Sequence, residues 1–350
     1  MTASPTTQQI AVVEVLSRCR ELVRPALVRA VNRLHPWHAE MAAFSLGWER
    51  VDGTPAPGSQ GKGIRQALTL LGAEAAGAPA RDAVAGAVAV ELVHVFSLLH
   101  DDIMDGDETR RQRPTTWKEY GTGPAILAGD ALFALAVQTL AEAPGGRSVP
   151  AVRLLAATLA DLVHGQADDL LFESRPWTGP KAVRPHEYRW MAEHKTGALL
   201  GCAAGLGAVL AGAPEDTAEA LGRAGRHLGV AFQVVDDLLG VWGDPEVTGK
   251  PVHSDLRRLK KTYPVLSALA ADHPTARRLA ALLDAGEPLG DADARRAAGL
   301  VEEAGGRTAA LAEAHRQLDS ARGSLESVPL APAALGEILA LLPYLIERTE

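Results

Sequence analysis

The strongest constraint on this chain comes from two long apolar stretches and the carboxylates that end them. Segments 81–105 and 214–242 are apolar nearly all round a helical repeat, and helices of that kind belong in the middle of a bundle. The first runs into Asp101-Asp102-Ile103-Met104-Asp105, and the second into Asp236-Asp237 with Asp244 beyond. A folded protein buries carboxylates in such places only when something positive compensates them. The rest of the chain reads the same way. Helical periodicity predicts helices at 10–33, 61–77, 81–105, 124–141, 149–173, 186–211, 214–242, 262–284, 291–325 and 331–348, with no alternating strand pattern. Breakers mark loops at Val51–Gln60, Ala143–Pro150, Ser174–Pro185 and Gly243–Lys250. No linker divides two compositionally different halves. The expectation is one all-α domain over residues 1–350, with about 1–9 disordered.

Composition removes several function classes. The chain has 350 residues, 47% of them hydrophobic, which is enough for a large core. Its net charge is −8 and its basic residues are dispersed, so nothing favours nucleic acid. Two distant cysteines, Cys19 and Cys202, make no disulfide framework. The polar start lacks a signal-peptide apolar region, and no apolar run is read as a membrane span, so a cytoplasmic location is expected.

Asp101, Asp102 and Asp105 stand at i, i+1 and i+4, within an arc of roughly 100° on a helix. Three carboxylates on one face repel unless they share hard cations. Mg²⁺ suits oxygen ligands completed by water and phosphate. An EF-hand is excluded, because the twelfth position from Asp101 is Gln112 rather than glutamate. The second cluster lacks a carboxylate at i+4, where Gly240 stands, and Gly243 and Pro245 suggest that the helix stops before Asp244. Cations suited to phosphate surround both clusters: Arg110, Arg111 and Arg113; Lys62 and Arg65 after Gly61; Lys195; Lys250; and Lys260-Lys261.

Together these motifs resemble the trans-isoprenyl diphosphate synthases, or polyprenyl synthetases, and the actinobacterial-type geranylgeranyl and farnesyl diphosphate synthases in particular. The resemblance is carried by Gly61-Lys62-Gly63-Ile64-Arg65, by Glu91-Leu92-Val93-His94 leading into the first cluster, and by Arg110-Arg111-Gln112-Arg113-Pro114. It continues through Gly129-Asp130, Gly165-Gln166-Ala167-Asp168-Asp169, Lys195-Thr196-Gly197 and Phe232-Gln233-Val234-Val235-Asp236-Asp237, up to Gly249-Lys250. It implies the all-α isoprenoid synthase fold, a homodimer, three Mg²⁺ ions, and isopentenyl diphosphate plus an allylic diphosphate (dimethylallyl, geranyl or farnesyl) as substrates. Asp101, Asp102, Asp105 and Asp236 would hold the metal, with Asp237 behind them or acting through water. Arg110, Lys195, Lys250 and Lys260 would bind the allylic diphosphate, and Lys62, Arg65, His94 and Arg111 isopentenyl diphosphate. Lys195, Thr196 and Gln233 would serve the reacting carbons.

Phe96 and Ser97, five and four residues before Asp101, would set product length. One large and one small residue there favour geranylgeranyl diphosphate, with farnesyl diphosphate as the alternative. The chain departs from the usual pattern at Gln60, Gln66 and Gly240, and by one extra residue between Lys250 and Asp255. A class I terpene cyclase would not need the Lys62, Arg65, His94 and Arg111 set. A non-catalytic partner subunit would be expected to lose metal-binding aspartates.

Overall fold

The computed structural model describes residues 7–56, 61–245, 251–284 and 288–346. Contacts divide the chain into two compact units. One comprises Met1–Ala157, Cys202–Gly222 and Leu325–Ala340, and the other Thr158–Gly201, Arg223–Ser324 and Leu341–Glu350. Among the described residues, the regular elements are helices except for one short hairpin and an isolated bridge between Glu49 and Pro55.

In the first unit, α1 (Thr7–Val31), α3 (Ile64–Ala75) and α6 (Thr122–Ala141) pack round α4 (Val84–Met104). Helix α4 earns its central place by composition: Ala87 through Val90, Leu92, Val93, Val95 and Leu99 are all buried. Between α1 and α3 lies α2 (Pro36–Ser45). It was not expected, yet Pro36 is pre-set for a first helical turn and the His35 ring accepts the Trp37 N–H. After α4 come β1 (Thr109–Arg110), β2 (Arg113–Pro114) and the short α5 (Thr116–Tyr120). Two-residue strands are too short to show alternation, so the hairpin left no trace in the sequence pattern.

The second unit is built on the C-terminal part of α7 (Ser148–Ser174), α8 (Pro185–Ala192), the start of α9 (Ala198–Ala211), the main length of α10 (Glu215–Trp242), and α11 (Ser254–Arg257) through α15 (Gly306–Glu326). Here α12 (Tyr263–Ala270) packs against α8, α13 (Pro274–Leu283) and α14 (Asp291–Glu303). Tyr188, Met191, Val234, Val235, Leu266, Leu279 and Val301 are part of its apolar core. The expected helix 262–284 breaks before Pro274, where Ala271 is extended. The expected helix 291–325 breaks at Gly305, which has φ +81°. The last helix is α16 (Pro332–Ile346).

Two further expectations need correction. Thr7–Gln9 form the first turn of α1 rather than a disordered tail, while residues 1–6 lie outside the described chain. Ala80–Met104 and Thr122–Ala141 are, by length and composition, apolar enough to cross a membrane. In the first, 56% of the most apolar window is covered by protein, as expected of a core helix that also carries Glu91, His94 and Asp102. Both cysteines are buried, and neither is in a disulfide.

Candidate active site

In the first unit, α4 delivers the acidic cluster at its C-terminal end. Asp101 is half-buried, the Asp102 side chain is 6% exposed, and Asp105 caps the helix in solvent. Arg110 closes on Asp102 through Nε at 2.8 Å and Nη2 at 2.7 Å. Burial pushes the Asp102 carboxyl up, the Arg110 guanidinium pulls it back, and the net direction is upward.

The hairpin turn between Arg110 and Arg113 places Arg111 at φ +51° and Gln112 at φ +62°. Two-residue hairpin turns of the primed types demand such values, and Asn-Gly usually supplies them. Two bulky residues held there store strain of the kind found at functional sites. The turn carries the Arg111 guanidinium over Gly61, where a Cβ would lie 3.1 Å from Nη1, so a side chain at position 61 would crowd the arginine. Arg65, in the first turn of α3, sits 3.3 Å from His94 Nε2 through Nη1. Burial first, then Arg65, Arg111 and Arg110, push the His94 pKa well below 6.5, so the ring is neutral and accepts from Arg65. Lys62, Arg65, His94 and Arg111 thus gather about one turn of the first unit.

Two residues of this cluster had no assigned role in the sequence reading. Arg20 of α1 donates from Nη2 to the carbonyls of Gly61 (3.3 Å) and Lys62 (3.1 Å). The Glu91 carboxyl is pushed up by burial and pulled back by a hydrogen bond from Gln66 and by the charges of Arg65, Arg111 and Arg20; the net direction is upward. Glu91 explains Gln66, a buried polar side chain where the family pattern has proline. The helix pattern could have pointed to Glu91, which stands three residues before His94 on the same face. Nothing in the sequence pointed to Arg20.

A cavity of about 60 Å³ lies along the α4 face bearing Val95, Leu99 and Asp102. Phe96 faces elsewhere, its ring centroid 4.8 Å from that of His100 and 5.7 Å from that of Phe133 on α6. The small Ser97 turns its hydroxyl back to the His94 carbonyl at 2.9 Å.

In the second unit, residues Glu193–Gly197 form a π turn between α8 and α9, a widened turn common at functional sites. It carries Lys195, whose Nζ lies 2.6 Å from Asp169 Oδ2, and Thr196, whose hydroxyl donates to Gln233 Oε1 at 2.8 Å. Asp236 is half-buried on α10. Its neighbour Asp237 is 1% exposed and accepts from the Tyr188 hydroxyl, from the Tyr263 N–H at 2.8 Å, and from Gln233 Nε2 at 3.5 Å. Burial raises its pKa to about 7, against the opposing pull of Lys260 and these hydrogen bonds. Asp237 therefore holds Gln233 and the start of α12 in place rather than presenting an open oxygen.

Lys260 acts on Asp237, whereas Lys261 is buried against the Trp177 ring at 4.2 Å and the Glu173 carbonyl. Helix α10 stops at Trp242, before Asp244. Lys250 and Gln60 lie outside the described residues. The space beside Gly240 is filled: a Cβ there would meet Asp255 Oδ2 at 2.1 Å.

The donor set at the end of α4 is all carboxylate oxygen, which fits a hard divalent cation. Among the described residues, no three His, Cys, Asp or Glu side chains gather into a ready metal cage. Mg²⁺ rarely uses one; it keeps waters and borrows phosphate oxygens, so the residues fit a site that substrate completes.

The polyprenyl synthetase family model matches residues 56–300. The chain is 43% identical to a (2E,6E)-farnesyl diphosphate synthase of Mycobacterium bovis over 337 residues, covering 95% of this chain and 92% of the relative. It is 44% identical to a geranylgeranyl diphosphate synthase of Mycobacterium tuberculosis over 335 residues, covering 95% and 93%. A crystal structure of a polyprenyl synthetase from Streptomyces coelicolor A3(2) superposes with a TM-score of 0.90 at 45% identity, covering 96% and 99%. The architecture is the all-α isoprenoid synthase fold, and the chain belongs to the polyprenyl synthetase family.

Proposed function

We propose that this protein is a Mg²⁺-dependent prenyltransferase that joins isopentenyl diphosphate to an allylic diphosphate. The observation that carries the reading is the grouping of Lys62, Arg65, His94 and Arg111 about one turn, next to an Arg110 held by Asp102. One group sets three cations beside a neutral histidine and suits a diphosphate that is retained. The other combines carboxylates with an arginine and suits a diphosphate that leaves.

Bound Mg²⁺ would stabilise the charge that develops on the leaving oxygens, with Asp101, Asp102, Asp105 and Asp236 assigned to hold it and Asp237 behind them. The protein's own groups do the rest. Arg110 exchanges Asp102 for phosphate oxygens, and Lys195, Lys250 and Lys260 take the same role by family resemblance. The Thr196 hydroxyl already gives its proton to Gln233, so its lone pairs are what it can turn toward a carbocation. A carboxylate at that place would trap the cation; a hydroxyl and an amide dipole do not. The released diphosphate takes the final proton.

Relatives making farnesyl and geranylgeranyl products resemble the chain equally, so steric volume must choose between them. A single large ring at Phe96 beside a small Ser97 favours the C20 product, geranylgeranyl diphosphate. The exposed apolar residues Ile126, Leu127 and Phe133 of α6 suit a homodimer, and the reading places the enzyme in the cytoplasm. The test is incubation with isopentenyl diphosphate, Mg²⁺ and each of the C5, C10 and C15 primers. A longer linear prenyl diphosphate supports the reading, a cyclic hydrocarbon from primer alone makes it a cyclase, and no turnover makes it a partner subunit. Phe96→Ala should lengthen the product by at least one C5 unit; an unchanged product removes Phe96 as the floor.

A further inference from the structure

We infer that Arg20 is a positioning residue for isopentenyl diphosphate, acting through the turn that carries Lys62; the inference rests on the reading above. Lys62 lies outside any helix or strand, and a lysine ammonium on a four-carbon stem has no fixed direction of its own. What roots it must come from elsewhere in the fold. One nitrogen of Arg20, reaching from α1, bridges the consecutive carbonyls of Gly61 and Lys62 at 3.3 and 3.1 Å.

The next residue, Gly63, has φ +72° and begins α3 with no side-chain cap. A Cβ built on it would lie 3.7 Å from Arg20 Nε, so the arginine also borders the turn that launches Arg65. Arg111 covers Gly61, and the Glu91 carboxyl lies within charge reach of Arg20, Arg65 and Arg111. Arg20 thus joins α1 to the backbone from which Lys62 and Arg65 project. Its removal loosens that backbone while leaving all four assigned diphosphate-binding groups in the chain.

The test is steady-state kinetics of the full-length enzyme with isopentenyl diphosphate and geranyl diphosphate in Mg²⁺. Arg20→Gln should raise KM for isopentenyl diphosphate about tenfold, with KM for geranyl diphosphate and kcat held within about twofold. Arg20→Lys, which keeps the charge and one donor group, should recover part of the loss. In a Lys62→Ala background, Arg20→Gln should add less than about twofold, because residues acting through one another are not additive. Equal increases in both KM values overturn the inference, as does a tenfold effect that persists without Lys62. If Arg20→Gln does not fold, as judged by circular dichroism, Arg20→Lys with and without Lys62→Ala carries the same comparison. An inactive wild-type enzyme overturns the functional reading and this inference with it. An active wild type with unsplit KM values overturns this inference alone.

Discussion

Gly240→Asp restores the carboxylate that the second acidic cluster lacks, and a sequence pattern alone would score it as a repair. The structure gives it the opposite sign. A Cβ on residue 240 would stand 2.1 Å from Asp255 Oδ2 and 2.4 Å from Asp255 Cγ, where ordinary contact begins at 3.4 Å. The Asp255 side chain must turn or retreat by more than about 1 Å, which disturbs its contact with Ser254. Overpacking of this kind costs about 1–3 kcal/mol. Near the end of α10, replacing glycine returns at most about 1 kcal/mol of helix propensity.

Aspartate then adds a charge. Two carboxylates about 5 Å apart repel by roughly 3 kcal/mol at an effective dielectric constant of 20, less where water reaches them. Gly240→Ala should therefore lose about 0–2 kcal/mol and Gly240→Asp about 2–4 kcal/mol near neutral pH. The assay is urea unfolding followed by far-ultraviolet circular dichroism in metal-free buffer. In an Asp255→Ala background the penalty of Gly240→Asp should shrink by at least about 1.5 kcal/mol, the coupling expected of residues in contact. A Gly240→Asp protein as stable as its parent, or a penalty indifferent to Asp255, would refute the packing argument.

Arg110→Ala leaves the Asp102 carboxylate buried without its guanidinium; discounting for the partial exposure of Arg110, it should cost about 2–3 kcal/mol. A carboxyl whose folded pKa lies above its unfolded value destabilises at high pH and is relieved as it protonates. The loss in urea unfolding should therefore be largest at neutral pH and shrink on acidification. His94 has the other sign: its folded pKa is depressed, so its contribution is intact above about 6.5 and is lost as pH falls from there toward the folded value. His94→Gln should flatten that part of the stability profile, and an unaltered profile means that the ring is not held neutral. EDTA should abolish prenyl transfer and Mg²⁺ restore it. Because the described carboxylates form no closed cage, Mg²⁺ alone should barely move Tm, whereas Mg²⁺ with inorganic diphosphate should raise it by several degrees.

Legibility in the sequence followed the strength of local signals. Helices α4, α6 and α10 announce themselves by apolar periodicity, and the loops at 143–147 and 175–184 by proline and glycine. The short α2 was hidden because a histidine caps it, and the β1–β2 hairpin because its turn uses Arg111 and Gln112 where glycine or asparagine is usual. The cations expected to bind isopentenyl diphosphate were all named from the motifs. Arg20 was not, because its two hydrogen bonds cross 41 and 42 residues of chain and leave no periodic mark.

The sequence by itself marked the long apolar helices and the family the chain joins, and it nominated the groups proposed to carry the chemistry, since these depend on residue type and spacing along one helix. Tertiary structure alone decided the pairings. It set Arg110 on Asp102, Arg20 beneath the turn of Lys62, Asp237 inside a net of Tyr188, Tyr263 and Gln233, and Asp255 against Gly240. Periodicity tells which way a side chain leaves its own helix. It does not say what charge or carbonyl another element brings to meet it, and at a few ångströms that meeting governs protonation, strain and the room left for ligand.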